Sequence, residues 1–240
     1  MAKTNPFQSM EGSNPVVVLQ FMQANTDSLP PVPVLPETIL LLDLVAQEAT
    51  VDLRGMSQVV LNDMGATLQI LRLAGREYGS SANMPRRIED CISDLGVSAC
   101  RLAVSEQTAV RHSRQGCIAK TWAHAREIAH YAKDVANELP RVNPDEAYMV
   151  GLLHSLACLP AVLGWDNAGD TETIDALYGW QLAKRWSLPH PLLEFFTEII
   201  IPGCETHWLQ IVRAAHQRAC RSSVGCPFEL ELRPGLIKNG

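Results

Sequence analysis

Histidine is the residue type in this sequence best suited to chemistry near neutral pH, because its ring gains or loses a proton there and can bind metal ions. The sequence contains seven histidines: His112, His124, His130, His154, His190, His207 and His216. His154 is the strongest candidate for a function, since it lies in the apolar stretch 145–158, where a polar ring needs a partner. A histidine in such a stretch is more often a hydrogen-bonded core residue than a ligand, and both interpretations stay open.

A second group of candidate residues is basic. Residues 71–126 contain nine Lys or Arg and five Asp or Glu, which gives this segment a formal charge of +4. Since the net charge of the chain is −6, the remaining residues carry −10. A local positive excess can bind a nucleotide, a nucleic acid or an acidic protein. The candidate anion or partner surface consists of Arg72, Arg76, Arg86 and Arg87. The alternative is that these arginines lie singly on solvated helix faces, and no aromatic residues interleave with them as in single-strand binders.

Other catalytic motifs are absent from the sequence. It contains no P-loop, no Gly-x-Gly-x-x-Gly and no Gly-x-Ser-x-Gly. A Cys–His nucleophile pair remains an alternative, either Cys117 with His124 or Cys158 with His154, which would be neighbours at i and i+4 on a helix. Two packed core residues on one helix explain the same spacing.

The elements that must position these residues are helices. Apolar residues recur at helical spacing from Pro36 onward, and period-two alternation is absent, so the pattern predicts an all-α fold. Asp63 has the position of an N-cap, Gly75 is expected to close the helix that follows it, and Gly96 is expected to break the chain between two helices. The expected helices are 36–49, a short one around 56–60, 64–75, 85–95, 97–110, 115–137, 145–158, 174–186, 191–201 and 208–220.

The chain is expected to form two packed helical subdomains. We assign residues 1–15 to a frayed N-terminus, 16–113 to the N-terminal subdomain, 114–225 to the second subdomain and 226–240 to a C-terminal tail. The prolines of 29–36 predict an extended strap, in which Val32, Val34 and Leu35 look suited to burial.

Composition excludes several classes of protein. With 47% hydrophobic and 19% charged residues the chain is not disordered. We expect no membrane span, because no apolar run approaches about 18 residues, and no export, because a basic flank followed by an apolar signal region is lacking at the N-terminus. Seven scattered cysteines without a Cys-x-x-Cys pair indicate buried thiols in a reducing compartment. We therefore expect a cytoplasmic protein.

Several segments resemble a known family. Gly151-Leu152-Leu153-His154-Ser155 resembles the Gly-Leu-Leu-His-Asp signature of the HD superfamily of helical, metal-dependent phosphohydrolases. Five further segments, in the same order and at similar spacing, resemble the HDOD family, an HD-related output domain of bacterial signalling proteins. They are 29–33, 63–74 followed by Tyr78-Gly79, 88–97, Trp122-Ala123-His124 and 179–189, and together the resemblance covers about residues 29 to 220. It implies that the second subdomain resembles an HD domain.

The resemblance also implies where a metal site would lie. An active HD hydrolase uses an upstream His, a His-Asp pair and a downstream Asp, which map to His124, to His154 with Ser155, and to the neighbourhood of His216. Both aspartates are missing here, and a serine hydroxyl replaces neither their charge nor their bridging geometry. We therefore expect a degenerate HD motif of vestigial core histidines, no cofactor and no catalysis. The alternative is a three-nitrogen zinc site, which requires that the three histidines converge.

The leading hypothesis is thus a non-catalytic bacterial signal-transduction module that acts by binding a protein partner or an anionic ligand. One competing hypothesis is a metal-dependent HD phosphohydrolase that acts on a nucleotide. Another is nucleic-acid binding through residues 71–126, which would weaken steeply with salt.

Overall fold

The computed structural model describes residues 32–47, 52–79, 83–105, 115–164, 176–201, 203 and 207–219. The chain divides into two units, Met1–Pro30 and Pro31–Gly240, and all described residues belong to the second. They contain helices and no strand, which confirms the all-α prediction. The α-helices are α1 (Pro36–Ala46), α2 (Leu53–Leu61), α3 (Met64–Tyr78), α4 (Ile88–Leu95), α5 (Val97–Ser105), α6 (Gln115–Asn137), α7 (Pro144–Leu153), α8 (Leu159–Leu163), α9 (Ala176–Arg185), α10 (His190–Ile200) and α11 (Trp208–Ala219), and a 3₁₀ helix, His154–Cys158, joins α7 to α8.

Asp63 begins α3 as the sequence predicted. Its carboxylate accepts hydrogen bonds from the backbone N–H groups of Gly65 and Ala66, two of the donors that a helix N-terminus leaves unpaired. The predicted end of this helix was wrong. The helix continues through Gly75 to Tyr78, and Gly79 ends it in the left-handed region with φ 65°. Gly75 serves close packing instead, because a Cβ there would lie 2.6 Å from the carbonyl oxygen of Trp186.

The described part of the proline-rich strap, residues 32–35, is extended and lies against α3. Val32 and Val34 are buried as expected. Gln69 donates a hydrogen bond from Nε2 to the Val32 carbonyl oxygen at 3.1 Å, and the Leu35 N–H donates to Asp63 at 2.7 Å. The strap is therefore attached to α3 by hydrogen bonds as well as by apolar burial.

Helices α6 and α7 form the centre of the fold. One face of α6 is buried, and its alanines Ala125, Ala129 and Ala132 are fully inaccessible to solvent. Gly151 of α7 lies against this face, because a Cβ on Gly151 would be 2.8 Å from the Ala129 Cα. The small residues on both helices thus allow their backbones to approach closely.

The predicted helix over 145–158 is not continuous. The α-helix ends at Leu153 and a 3₁₀ helix begins at His154, since Ser155 has non-helical φ −88° and ψ 16°. The expectation that no apolar run is long enough to span a membrane was also wrong. Pro144–Leu163 is long and apolar enough to cross a membrane by length and composition alone. The most apolar 18 residues of this stretch are 89% buried in the structure, and such burial is typical of a core helix.

Several predictions concern residues outside the described ranges. They include the frayed end 1–15, the helix beyond Ser105, the boundary between residues 113 and 114, and the tail 226–240. The division into two subdomains therefore stays a prediction. Helices α9, α10 and α11 lie within two residues of their expected bounds.

Glu198 joins α10 to α11. It is buried, and its Oε2 accepts a hydrogen bond from the Leu209 N–H at 3.0 Å near the start of α11. Its Oε1 is buried and has no hydrogen-bond partner within the described part of the chain. Burial raises the pKa of this carboxyl to about 7, and the charge of Glu194 adds to this rise. The folded state therefore favours the protonated form.

We expect Glu198→Gln to remove part of the pH dependence of folding. Because the folded pKa of Glu198 is above its unfolded value, the contribution of this group to stability is largest below pH 4.5 and is lost as the pH rises through 7. From the size of the shift, the native protein should lose about 2–3 kcal/mol more than the glutamine variant between pH 5 and pH 8. Urea unfolding of both proteins at these two pH values measures the difference. Equal losses in the two proteins would contradict the assignment.

Candidate functional site

Three histidines meet inside the helical core. His124 comes from the middle of α6, His154 begins the 3₁₀ helix after α7, and His216 comes from α11. The ring centroids lie 5.5 Å apart for His124 and His154, 5.2 Å for His124 and His216, and 4.9 Å for His154 and His216. One ring nitrogen from each residue can be chosen so that all three lie within 4.8 Å of one another. The condition that the sequence left open, convergence of the three rings, is met.

Local structure explains why His154 faces this cluster. Gly151 allows α7 to approach α6 closely, as described above, and the change from α-helix to 3₁₀ helix occurs at His154 itself. The ring Nδ1 of His154 lies 2.6 Å from the carbonyl oxygen of Gly151. Since a carbonyl oxygen only accepts, Nδ1 carries the proton, and Nε2 keeps its lone pair.

Two histidines of the cluster, His154 and His216, resist protonation. Burial, followed by the charges of His216 and His124, lowers the pKa of His154 well below its usual value. Burial and the neighbouring His124 lower the pKa of His216 to about 4. Both rings are therefore neutral at pH 7, and each has one nitrogen with a lone pair.

Ser155 does not join the cluster. It is buried, and its hydroxyl is directed to the sulfur of Met64 at an Oγ–Sδ distance of 3.9 Å. The group of possible metal-binding residues around His154 therefore contains only imidazoles among the described residues, with no carboxylate. Carboxylates and other oxygen ligands are what Mg²⁺, Mn²⁺ and Ca²⁺ require. Within the described ranges, the group around His154 therefore offers nitrogen ligands only.

The four arginines singled out from the sequence lie in different surroundings. The guanidinium of Arg72 stacks over the ring of Trp186, 4.7 Å from its centroid. Burial lowers the pKa of Arg72 to about 10, and the charges of Arg76 and Arg185 add to this effect. Arg86 and Arg87 line a cavity that includes neither Arg72 nor Arg76.

The cavity has a volume of about 810 Å³ and lies where α2 and the start of α4 face α6 and α7. Its lining has four cationic side chains, Arg54, Arg86, Arg87 and Lys133, against two acids, Glu89 and Asp145. The remaining lining residues are Ser57, Gln58, Leu61, Asn62, Ile88, His130, Tyr148 and Met149. The sequence pointed to Arg86 and Arg87 as the one adjacent pair of arginines, but it carried no signal that Arg54 and Lys133 join them.

Ion pairs partly neutralise the cavity wall. Arg86 is 74% exposed and pairs at 3.0 Å with Glu146, which is only 7% exposed. Arg87 lies 2.8 Å from Glu89 and 3.6 Å from Asp145, and Asp145 also pairs with Lys133 at 2.9 Å. Arg54 is exposed and makes no ion pair with any residue that the structure describes. Counting only the lining residues, the cavity retains a net charge of +2.

Comparison with known proteins gives a consistent picture of the fold. A family model described as "HDOD domain" matches residues 32–164. No curated protein matches the sequence. The MmoQ response regulator from Methylococcus capsulatus has a similar structure, with TM-score 0.64 and 21% identity over 80% of this chain and 87% of that one. Its fragment 20–298 matches with TM-score 0.60 and 20% identity over 87% and 98% of the two chains. A virulence factor from Campylobacter jejuni matches with TM-score 0.51 and 18% identity over 81% and 76%.

Proposed function

The chain belongs to the HDOD domain family, and from that premise we propose that it is a non-catalytic bacterial signal-transduction module which acts by binding a protein or an anionic ligand. The match covers more than half of the sequence and includes two of the three histidines, His124 and His154. The response regulator among the similar structures is consistent with a regulatory role.

The observation that carries the proposal is the composition of the histidine cluster. Hydrolysis by an HD protein needs a metal-bound hydroxide and ligands that hold hard divalent ions against a phosphate. Here three imidazoles lie at these positions, and the hydroxyl of the serine that replaces the aspartate is directed toward Met64. Without carboxylates, the site lacks the anionic oxygens that would hold and bridge two such ions.

The cavity between α2, α4, α6 and α7 is the binding surface that we propose. Its excess of cationic side chains favours a carboxylate or phosphate group, and guanidinium groups bind both of these in bidentate fashion. Arg54 and Arg87 are the residues best placed to bind such a group, because both are exposed at the cavity. Arg86 has a second role, since its removal would leave the carboxylate of Glu146 buried without its partner.

The test combines a binding experiment with an activity assay. The double variant Arg54→Ala/Arg87→Ala removes two cavity cations, while Lys133 remains to pair with Asp145. The matched control is Arg101→Ala, a surface arginine that pairs with Asp43 at 3.5 Å and does not line the cavity. We expect pull-down from the native host to recover a specific partner with the native protein and with the control. The double variant should retain at most about a tenth of it, because charged hydrogen bonds contribute roughly 1.5–3 kcal/mol each.

The activity assay addresses the competing hydrolase hypothesis. We expect no hydrolysis of bis(p-nitrophenyl) phosphate above the level of a His154→Ala variant in Mg²⁺, Mn²⁺ or Zn²⁺. Turnover that disappears in His154→Ala would overturn the non-catalytic proposal. Equal recovery of the partner by the double variant and the native protein would overturn the cavity as its binding surface.

We also propose that the protein works in the reducing cytoplasm. Cys91 and Cys100 are buried thiols that form no disulfide. Burial raises the pKa of Cys91 to about 12 and that of Cys100 to about 11, so both thiols are unreactive at neutral pH. Their role is that of small apolar core residues.

A further inference from the structure

We propose that His124, His154 and His216 together bind one zinc ion within the helical core. This inference is independent of the partner-binding proposal, because a buried zinc ion held by three imidazoles does not by itself require catalysis. It assigns a metal ion to a group of side chains that takes no part in the proposed binding of a partner. The site connects three helical elements, α6, the 3₁₀ helix and α11.

The distances are close to those that zinc needs. Zn–N bonds of about 2.0–2.1 Å in a tetrahedral site place ligand nitrogens about 3.3 Å from one another. In the structure three ring nitrogens lie within 4.8 Å of one another. Each nitrogen would therefore have to move by less than about 1 Å to reach bonding distance, a shift that small rotations of the histidine side chains supply.

The chemical state of the rings suits a metal. A histidine binds a metal ion through a ring nitrogen that carries no proton, and one ring nitrogen from each of the three histidines lies within 4.8 Å of the other two. His154 is also oriented as a ligand, because the bond of its Nδ1 to the Gly151 carbonyl leaves Nε2 available. Metal-binding histidines usually donate their second N–H to such a carbonyl, which fixes the ring and its tautomer.

The polar atoms of the cluster argue against a purely packing role. Nε2 of His216 is buried and has no hydrogen-bond partner in the described part of the chain. A buried polar atom without a partner costs free energy, which an apolar residue in the same place would avoid. The ring separations of 4.9–5.5 Å also leave the centre of the cluster without an apolar side chain between the rings. A bound cation would supply the missing partner.

The type of ligand atom indicates which metal ion the site would bind. Three imidazoles without a carboxylate favour zinc and other late transition metals over Mg²⁺, Ca²⁺ and Mn²⁺. Three protein ligands leave a fourth tetrahedral position open, as in other three-histidine zinc sites. His216 is partly exposed, whereas His124 and His154 are buried.

Metal titration of the untagged full chain, stripped with a chelator, tests the proposal. We expect one equivalent of Zn²⁺ to bind, in competition with a chromophoric chelator, and to raise the Tm. Co²⁺ should give the visible absorption of a tetrahedral site, and Mg²⁺ should have neither effect. His216→Ala should weaken Zn²⁺ binding by at least about 100-fold, since loss of an outer-shell partner alone costs 10–100-fold.

Two further variants keep the test decisive. His190→Ala removes an exposed histidine at the start of α10, outside the cluster and the cavity, and should bind Zn²⁺ like the native protein. His216→Gln preserves a polar side chain of similar size, so it tests the ligand role even if His216→Ala folds poorly. Retention of one tight zinc ion by both His216 variants, or no binding by the native chain, would overturn the site. Zinc binding without phosphodiester hydrolysis would leave the proposed function intact.

Discussion

Replacement of Asp63 by alanine is expected to lower the free energy of unfolding by about 4 kcal/mol. The Asp63 side chain is completely buried. It accepts hydrogen bonds from the N–H groups of Leu35 at 2.7 Å, Gly65 at 2.7 Å and Ala66 at 3.1 Å, and from the Trp122 indole at 3.0 Å. One carboxylate therefore connects the strap, the start of α3 and the long helix α6.

The magnitude follows from the donors that alanine leaves behind. Loss of an N-cap costs about 1 kcal/mol, and each buried donor left without an acceptor costs about 1–3 kcal/mol. Four donors lose their acceptor here, although such costs are not additive. Burial raises the pKa of the Asp63 carboxyl and the hydrogen bonds oppose that rise, so part of their energy offsets desolvation.

Asp52→Ala is the matched control, because Asp52 is also an N-cap. It accepts one hydrogen bond, from the Arg54 N–H at 3.0 Å, but at the exposed start of α2. We expect a loss of about 1 kcal/mol for Asp52→Ala. Asp63→Asn should give a loss of stability between those of the two alanine variants. The NH₂ of the amide would face the N–H of Leu35, a second donor, while the amide oxygen could still accept hydrogen bonds from Gly65, Ala66 and Trp122. Urea unfolding at pH 7 measures all three, and equal losses in the two alanine variants would contradict the central role of Asp63.

Gly65→Ala is expected to destabilise the fold by at least about 3 kcal/mol or to release the strap. A Cβ at Gly65 would lie 1.9 Å from the carbonyl oxygen of Pro33 and 2.8 Å from its carbonyl carbon. Both are backbone atoms, so no side-chain rotation relieves the overlap. The strap cannot withdraw without losing the bonds that hold Val32 and Leu35. Overpacking of this kind costs about 1–3 kcal/mol, and more where the backbone must move.

Gly116→Ala is the matched control for Gly65→Ala, because it makes the same substitution at a helix start that has no contact with the strap. Gly65 and Gly116 are both the second residue of a helix, α3 and α6 respectively. A Cβ at Gly116 would have no neighbour within 4 Å, so alanine there should be neutral or stabilising by up to about 1 kcal/mol. Unfolding curves give the stabilities, and hydrogen exchange of residues 32–35 reports release of the strap. A Gly65→Ala protein as stable as Gly116→Ala would refute the close contact.

Features that depend on neighbours in the chain could be predicted from the sequence. The bounds of α6 agree with the prediction, and Asp63 caps α3, because helical periodicity and capping are properties of consecutive residues. The order of the family-like segments likewise indicated the HDOD family, whose model matches residues 32–164. The end of α3 could not be predicted. Gly75 does not end the helix but packs closely against the backbone of Trp186, which lies more than a hundred residues further along the chain.

The amino-acid sequence by itself determined the helical class and the family, and it predicted an HD motif without its aspartates. Only the tertiary structure decided which residues share a site. It brought one ring nitrogen from each of His124, His154 and His216 within 4.8 Å of the other two, and it placed Arg54 and Lys133 in the cavity with Arg86 and Arg87. The reason is physical. Periodicity tells which face of a helix is buried, but which faces meet depends on the close packing of small residues such as Gly151 against another helix.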